Sequence, residues 1–260
     1  MHIPNRTIHP KNLQRWVALV SCTAALAACG GGGGGAAPTR VSPSVAMQGF
    51  WFGSIAPASD GATRASSVIM PDGTAWVVFE GQTTANAVAR VVLSGTGLNE
   101  TDASVSGAGA YYRLSDGAKV AVSVSGTAST AGTLKGTAIV TGNANTTINW
   151  NSVAGFTTPA QQADVAATWN GTAGAGAVHI TWTISAAGAL SGNSSTGCTY
   201  SGTLTPNAGI AVYKVAVSED CAGTVKTVAG IATLAAAKTS LRVVYTANAE
   251  ASGGLISFTK

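Results

Sequence analysis

Residues that could support catalysis are few in this chain. Of the three histidines, two fall within the first ten residues and only His179 lies further along. A Ser-His-Asp or Cys-His centre would need His179 as its base, and no acidic residue stands near it in the sequence. We therefore predict that His179 is a polar residue on one face of a strand and that the chain is not an enzyme.

Acidic residues give no better catalytic candidate. Asp60, Asp72, Asp116, Glu219 and Asp220 all fall where the sequence predicts turns, and short acidic side chains in turns commonly accept hydrogen bonds from their own backbone. Two of them could act as a glycosidase pair, but nothing in the sequence selects which two. No catalytic residue is assigned.

Five tryptophans stand out because their neighbours are so small. Trp51, Trp76, Trp150, Trp169 and Trp182 could form a platform for a sugar or an apolar ligand, or they could fill a core otherwise made of Ala and Val. Three of them fall on apolar alternations, which favours the core.

The N-terminus carries a targeting segment. Arg6, Lys11 and Arg15 precede an apolar stretch of 13 residues, 16–28, which is too short to span a bilayer. Its end, Leu26–Cys29 (Leu-Ala-Ala-Cys), resembles the lipobox at which bacterial lipoprotein precursors are lipidated and cut.

This resemblance implies that residues 1–28 are a signal peptide and that Cys29 carries a diacylglyceryl group and an acylated amine. Cys22 fits a looser version of the motif, but the apolar core before it would be too brief. Because Gly30 replaces the family's Asp signal for inner-membrane retention, the resemblance implies an outer-membrane anchor in the lipid bilayer. An ordinary secretory signal is the alternative.

Residues 29–46 are predicted to form a lipidated tether. Six consecutive glycines follow Cys29, and Pro38 and Pro43 come next. A Gly-rich coil of this length holds the folded part about 20 to 25 Å from the bilayer.

Charge excludes one class of function. Without residues 1–28 the chain has 11 Lys and Arg against 10 Asp and Glu, scattered singly. A nearly neutral chain has no basic stripe for nucleic acid. We expect no nucleic-acid partner.

Cys198 and Cys221 are predicted to form a disulfide. They are the cysteines left after Cys22 and Cys29, and an oxidising envelope favours their pairing. A turn at 206–209 would place Cys198 opposite about Val217, near Cys221. Two cysteines and one histidine are too few for a metal site, so no metal and no cofactor are predicted.

The composition is typical of many short strands. Gly, Ala, Ser, Thr and Val dominate, and Gly or Pro punctuates the chain every eight to twelve residues. Segments 120–124, 178–184 and 241–245 alternate apolar and polar residues, as half-buried antiparallel strands do.

The strand pattern occurs twice. Residues 49–53 are echoed by 167–171, 93–96 by 200–203, and 132–135 by 223–226. We predict β domain 1 over 47–157, a linker over 158–163 and β domain 2 over 164–260.

Each domain has room for about eight strands. In the second we place them at 166–172, 177–185, 189–194, 198–204, 210–217, 224–234, 239–247 and 254–259. The predicted fold class is all-β, with two tandem antiparallel units that are small up-and-down eight-stranded barrels. Two-sheet sandwiches and one larger shared sheet are the alternatives. Gly49-x-Trp51 resembles the first-strand signature of the lipocalin and calycin superfamily, which implies a ligand inside a barrel.

The sequence therefore predicts an envelope lipoprotein that acts as a non-catalytic binding or interaction module for an unknown protein or small ligand. One alternative is a calycin-like carrier of a small apolar ligand, which needs a hollow barrel. The other is an inhibitor of a host or rival enzyme, acting through a protruding loop such as 143–151 or 191–197.

Overall fold

The structure of the chain, a computed structural model, describes residues 47–81, 85–96, 102–173 and 176–260. The predicted signal peptide, Cys29 and the predicted tether lie outside these ranges. Among the described residues, no helix is long and apolar enough to cross a bilayer.

The chain forms two closed antiparallel barrels of eight strands each, as predicted. Each strand pairs with the next along the chain, and the eighth pairs with the first. The first barrel consists of β1 (Gly49–Ser59), β2 (Ala62–Ile69), β3 (Thr74–Glu80), β4 (Ala85–Thr96), β5 (Asp102–Arg113), β6 (Lys119–Ser129), β7 (Thr133–Val140) and β8 (Thr146–Val153). One helical turn, α1 (Gln162–Val165), precedes the second barrel, which consists of β9 (Thr168–Ala173), β10 (Val178–Ile184), β11 (Ala189–Ser194), β12 (Thr199–Pro206), β13 (Tyr213–Cys221), β14 (Thr224–Leu234), β15 (Ser240–Ala247) and β16 (Ser252–Thr259).

One strand departs clearly from its predicted position. The turn before β13 is longer than expected, because Asn207 N–H donates to the Val212 carbonyl at 2.8 Å, and the strand then continues to Cys221. The predicted turn at Glu219 and Asp220 is wrong. The chain reverses at Ala222 and Gly223, whose φ angles of 52° and 86° suit a two-residue hairpin turn.

In each barrel the first tryptophan is held by the same hydrogen bond, to the carbonyl of the residue four positions before it. The Trp51 indole Nε1–H donates to the Met47 carbonyl at 3.0 Å, and the Trp169 Nε1–H donates to the Val165 carbonyl at 2.8 Å. Both tryptophans and both carbonyl residues are buried. The sequence similarity between residues 49–53 and 167–171 is therefore accompanied by an equivalent hydrogen bond in each barrel.

The other two sequence matches are not structural equivalents. Strand pairing places Tyr200 level with Ala89 of β4, four residues from the predicted match at Leu93. Residues 132–135 begin the seventh strand of the first barrel, whereas 223–226 begin the sixth strand of the second. Short Ser-Gly-Thr and Gly-Thr segments recur here because the composition is so narrow.

Inward-facing residues fill the middle of both barrels. The first core includes Trp51, Ile55, Val77, Leu134 and Trp150. The second includes Trp169, Trp182, Leu204, Leu241 and Phe258.

A third apolar cluster joins the outer faces of the two barrels. Trp76, Val88 and Tyr112 of the first barrel pack with Ile231 and Val244 of the second. Hydrogen bonds and ion pairs surround this cluster: Tyr112 donates to the Glu250 carbonyl at 3.0 Å, Ala211 N–H donates to the Phe156 carbonyl at 2.7 Å, and Arg90 pairs with Glu250.

A glycine at the seam of the second barrel is expected to be costly to replace. A Cβ at Gly171 would lie 2.4 Å from the Phe258 ring, because β9 and β16 meet there. Gly171→Ala should lower the free energy of unfolding by about 1 to 3 kcal/mol, as overpacking does. Denaturant unfolding measures this cost. In a Phe258→Leu background the same substitution should cost less; an unchanged cost would contradict the steric explanation.

Candidate ligand site in the second barrel

The two ends of the second barrel differ. At the end where β9 begins, α1 covers the interior: Val165 is fully buried, and the Tyr213 hydroxyl donates to the Gln161 carbonyl at 2.9 Å. At the end where β9 finishes, a cavity of about 290 Å³ opens among the inward-facing side chains. We call it the mouth cavity.

Aromatic rings form much of the mouth cavity. Trp182 and Tyr200 meet edge to face with ring centroids 5.9 Å apart, and Tyr245 lies further around the wall. The Tyr245 ring lies over Gly254, where a Cβ would come within 2.5 Å of the phenolic oxygen. The absent side chain at Gly254 thus lets a large ring lie flat against the neighbouring strand.

The polar groups of the mouth cavity cluster at one side. The Tyr200 hydroxyl donates to Glu219 Oε1 at 2.8 Å, and Lys226 Nζ lies 3.8 Å from Glu219 Oε2. The Lys226 side chain is 45% exposed, whereas that of Glu219 is 21% exposed. The carboxylate is therefore drawn into the barrel while its cation stays at the rim.

One buried donor in this cavity has no acceptor. Trp182 is 1% exposed, and its Nε1–H makes no hydrogen bond among the described residues. Such a group costs about 1 to 3 kcal/mol when it remains unsatisfied. The nitrogen itself is buried in the wall, so a ligand's acceptor atom reaches it only when the indole turns towards the cavity.

The two phenols of the cavity are held neutral. Burial raises the pKa of Tyr200, and the hydrogen bond to Glu219 and its charge raise it further. Burial also raises the pKa of Tyr245, with a smaller contribution from the charge of Glu219. Both hydroxyls are therefore hydrogen-bond donors at neutral pH.

The predicted disulfide lies at the rim of the mouth cavity. Cys198 and Cys221 are bonded to each other, and the adjacent Thr199 pairs with Asp220. Gly202, not Cys198, faces Val217, so the predicted register was wrong by four residues even though the predicted bond is present. Together with Glu219 the two sulfurs lie within metal-binding distance of one another, but disulfide sulfurs offer no thiolate ligand.

Corresponding positions in the first barrel are occupied by different residues. We call Trp169, Trp182, Gly192, Tyr200, Glu219 and Lys226, which pair in that order across neighbouring strands, the Trp169 row. The equivalent Trp51 row is Trp51, Ser67, Val77, Ala89, Tyr111 and Val120. The first barrel thus has Ser for Trp182, Ala for Tyr200 and Tyr for Glu219.

A half-buried polar cluster lies at the same end of the first barrel. The Asp60 carboxylate accepts hydrogen bonds from the Tyr111 hydroxyl at 2.6 Å, from Arg113 Nε at 3.2 Å and from Asn143 Nδ2 at 3.2 Å. Tyr111 is fully buried. In the second barrel, Glu219 replaces Tyr111 and the interior remains accessible.

Most of the remaining candidate residues lie outside the mouth cavity, and the acidic ones accept hydrogen bonds from the backbone of turns. His179 is exposed on the outside of β10, away from the mouth cavity. Asp72 and Asp116 accept hydrogen bonds from backbone N–H groups two residues ahead, at 2.9 and 3.0 Å, as predicted for turns. Asp220 also accepts a backbone hydrogen bond, from Gly223, although it lies in β13.

The structure agrees with the prediction for the tryptophans and disagrees with the prediction of two protruding loops. All five tryptophans are buried: four lie in the barrel cores or their walls and Trp76 lies between the barrels. The loops predicted for a protruding inhibitor are largely strand, because β8 begins at Thr146 and β11 continues to Ser194.

Sequence reasoning missed the acidic residue that lines the mouth cavity. Glu219 was assigned to a turn, yet it continues the alternation of Tyr213, Val215 and Val217 and therefore faces the interior. The same period-two argument would have identified Lys226, which leads into inward-facing Val228. A charged residue on an apolar face was the available signal.

Comparisons with known proteins add little to this geometry. No family model and no curated protein matches the chain. Among solved structures, a protein of unknown function of the DUF3598 family from Nostoc punctiforme is similar at 14% identity, with a TM-score of 0.27 over 82% of this chain and 95% of that protein. This level of similarity assigns no function.

Stability should fall in alkaline solution partly because of Tyr200. Its pKa is raised in the folded state, so above pH 10 the folded protein retains a proton that the unfolded chain releases. The unfolding free energy then decreases by at most about 1.4 kcal/mol per pH unit for this group. Denaturant unfolding between pH 9 and 11 should show a shallower decrease for Tyr200→Phe than for wild type. Equal slopes would show that Tyr200 does not contribute.

The rim disulfide should add to stability. Cys198 and Cys221 are 23 residues apart, and closing a loop of this size is worth about 3 kcal/mol. Cys198→Ser with Cys221→Ser should lower the unfolding free energy by about this amount in non-reducing buffer. A reducing agent should lower the wild-type value similarly and leave the double variant unchanged; a reductant effect on the variant would contradict the assignment.

Proposed function

We propose that the protein is an envelope lipoprotein, anchored through acylated Cys29, that binds a small ligand without catalysis in the second barrel. The first barrel serves as a closed scaffold. The proposal combines the lipobox with the carrier alternative of the sequence, since a carrier needs an accessible interior and the second barrel has one.

The observation that carries this proposal is the buried, unsatisfied Nε1–H of Trp182 beside the mouth cavity. A ligand with a carbonyl or ring-nitrogen acceptor would satisfy this donor. The free protein carries the cost of an unpaired donor, and a ligand that supplies an acceptor removes this cost. Its binding free energy is more favourable by that amount than that of a ligand without an acceptor.

Size and charge define the ligand further. A volume of about 290 Å³ is at the lower limit for small-molecule sites, which favours a compact ligand. Glu219 is already paired with Lys226 and Tyr200, so the cavity has no uncompensated charge to offer. With rings from Trp182 and Tyr245 in the wall, a neutral ring compound with one acceptor fits best.

A non-catalytic role agrees with the lining of the cavity. Among the described residues that line it, Glu219 is the only carboxylate, and no histidine is present. The Lys226 ammonium and the Tyr200 hydroxyl both pair with that carboxylate, so the polar groups of the cavity are already directed at one another. The disulfide and the Tyr200 hydrogen bond instead hold the rim in one conformation.

Binding is tested with coumarin, a neutral bicyclic lactone, by following the tryptophan indole N–H signals in NMR. We expect the Trp182 signal to shift on titration, whereas the Trp169 signal stays in place because its N–H is bonded to Val165. Trp182→Phe retains a ring but removes the donor, and should weaken binding about threefold to tenfold.

The matched control is Trp150→Phe, the same substitution at a first-barrel indole whose buried N–H is likewise unsatisfied among the described residues. It should leave coumarin affinity unchanged. If the Trp182 signal does not move with coumarin or with related neutral lactones and ketones, the proposed site is wrong.

Anchoring is tested separately by detergent phase partition. Cys29→Ala should move the protein from the detergent phase to the aqueous phase, because two or more acyl chains provide the membrane affinity. Cys22→Ala is the control and should remain in the detergent phase. A Cys29→Ala protein that has lost residues 1–28 and still stays in the detergent phase would refute the lipoprotein assignment.

A further inference from the structure

A second cavity lies outside both barrels, in the angle between them. It is a groove of about 490 Å³ where β1, β2 and β3 of the first barrel face β14 and β15 of the second. We call it the inter-barrel groove. Its apolar walls include Phe50, Val68, Trp76, Val78, Ile231 and Val244.

Apolar surface continues from the groove towards solvent. Among the described residues, five large apolar side chains are exposed, and Phe52 and Val153, at 44% and 48%, both line this groove. Exposed apolar residues that are scattered singly need no explanation, but a contiguous set marks a binding surface. The groove therefore presents a continuous apolar wall that reaches solvent.

One end of the groove carries positive charge. Arg242 lines it, and its Nη1 lies 2.6 Å from Glu80 Oε1. Arg64 Nε lies 3.4 Å from the other oxygen of the same carboxylate. Two guanidinium groups thus share one carboxylate, which leaves a net charge of +1 beside an apolar slot.

From this charge and shape we propose that the inter-barrel groove binds a long-chain fatty acid in its carboxylate form. The acyl chain lies along the apolar walls, and the carboxylate pairs with Arg242, whose planar donors suit a carboxylate. The groove volume lies in the lower half of the range for small-molecule sites, which favours one acyl chain over two.

Charge distinguishes this occupant from the acyl groups predicted on Cys29. Those chains end in ester and amide bonds and bring no anion to Arg242 and Arg64. A fatty carboxylate neutralises the excess charge, whereas a neutral chain leaves it in place. The proposal is also independent of the proposed function, because the groove and the mouth cavity share no lining residue.

The test uses the full chain carrying Cys29→Ala, which avoids detergent, and dodecanoate below its micelle concentration. Calorimetry should show one site, and in NMR the Trp76 indole signal should shift while the Trp182 signal does not. Dodecanol and dodecyltrimethylammonium, which have the same chain length but no negative charge, should bind at least tenfold more weakly. Equal binding of all three compounds would overturn the proposal.

Two substitutions in the ion pair give opposite expectations. Arg242→Gln should weaken dodecanoate binding about tenfold, whereas Glu80→Gln should strengthen it, because it frees both guanidinium groups. If the ion pair only supports the fold, both substitutions will weaken binding, and that result overturns the proposal. Thermal unfolding of each variant checks that the barrels remain intact. A third variant, Phe52→Ser, removes an exposed apolar side chain of the groove and leaves the charges unchanged. It should also weaken dodecanoate binding.

Two further results would also overturn it. If Trp182→Phe abolishes dodecanoate binding, the fatty acid enters the mouth cavity and the coumarin experiment still stands on its own. If the wild-type chain already shows the shifted Trp76 signal without added dodecanoate and the Cys29→Ala chain does not, the groove holds the protein's own acyl groups.

Discussion

Closure of each sheet on itself is the constraint on which the rest of the structure depends. The last strand must pair with the first, and at that seam Gly53 and Gly171 face Trp150 and Phe258. A Cβ at Gly53 would lie 2.1 Å from the Asn149 carbonyl oxygen, so the strands approach too closely for any side chain. Closure removes exposed sheet edges and fixes which residues point inward.

The two barrels show how one architecture accommodates opposite interiors. Both retain the indole hydrogen bond beneath the first tryptophan. At their other ends, Asp60 and Tyr111 close the first barrel, whereas Glu219 leaves the second accessible. Because these differences lie at a few inward positions, the interior can change without disturbing strand pairing. The duplicated fold is a scaffold, and its chemistry depends on those positions.

Period-two alternation was enough to predict the strands and the barrel class, since apolar and polar residues alternate wherever one face meets solvent. It failed where a charge faces inward, as at Glu219, and where the register depends on turn length, as before β13. The inter-barrel contact leaves a signal in the sequence, because residues 74–79 are buried on both faces of β3 and do not alternate between apolar and polar side chains. Which surfaces meet across that contact is tertiary information that local patterns do not contain.

Strand β15 has an unusual position, because its successive residues face different cavities. Val244 contributes to the wall between the barrels, and Tyr245 contributes to the interior of the second. Any displacement of this strand by a molecule on one side moves the wall on the other side. If the strand moved in this way, reciprocity would require each molecule to change the affinity for the other by the same factor. The tandem arrangement thus makes one strand a common wall of two cavities.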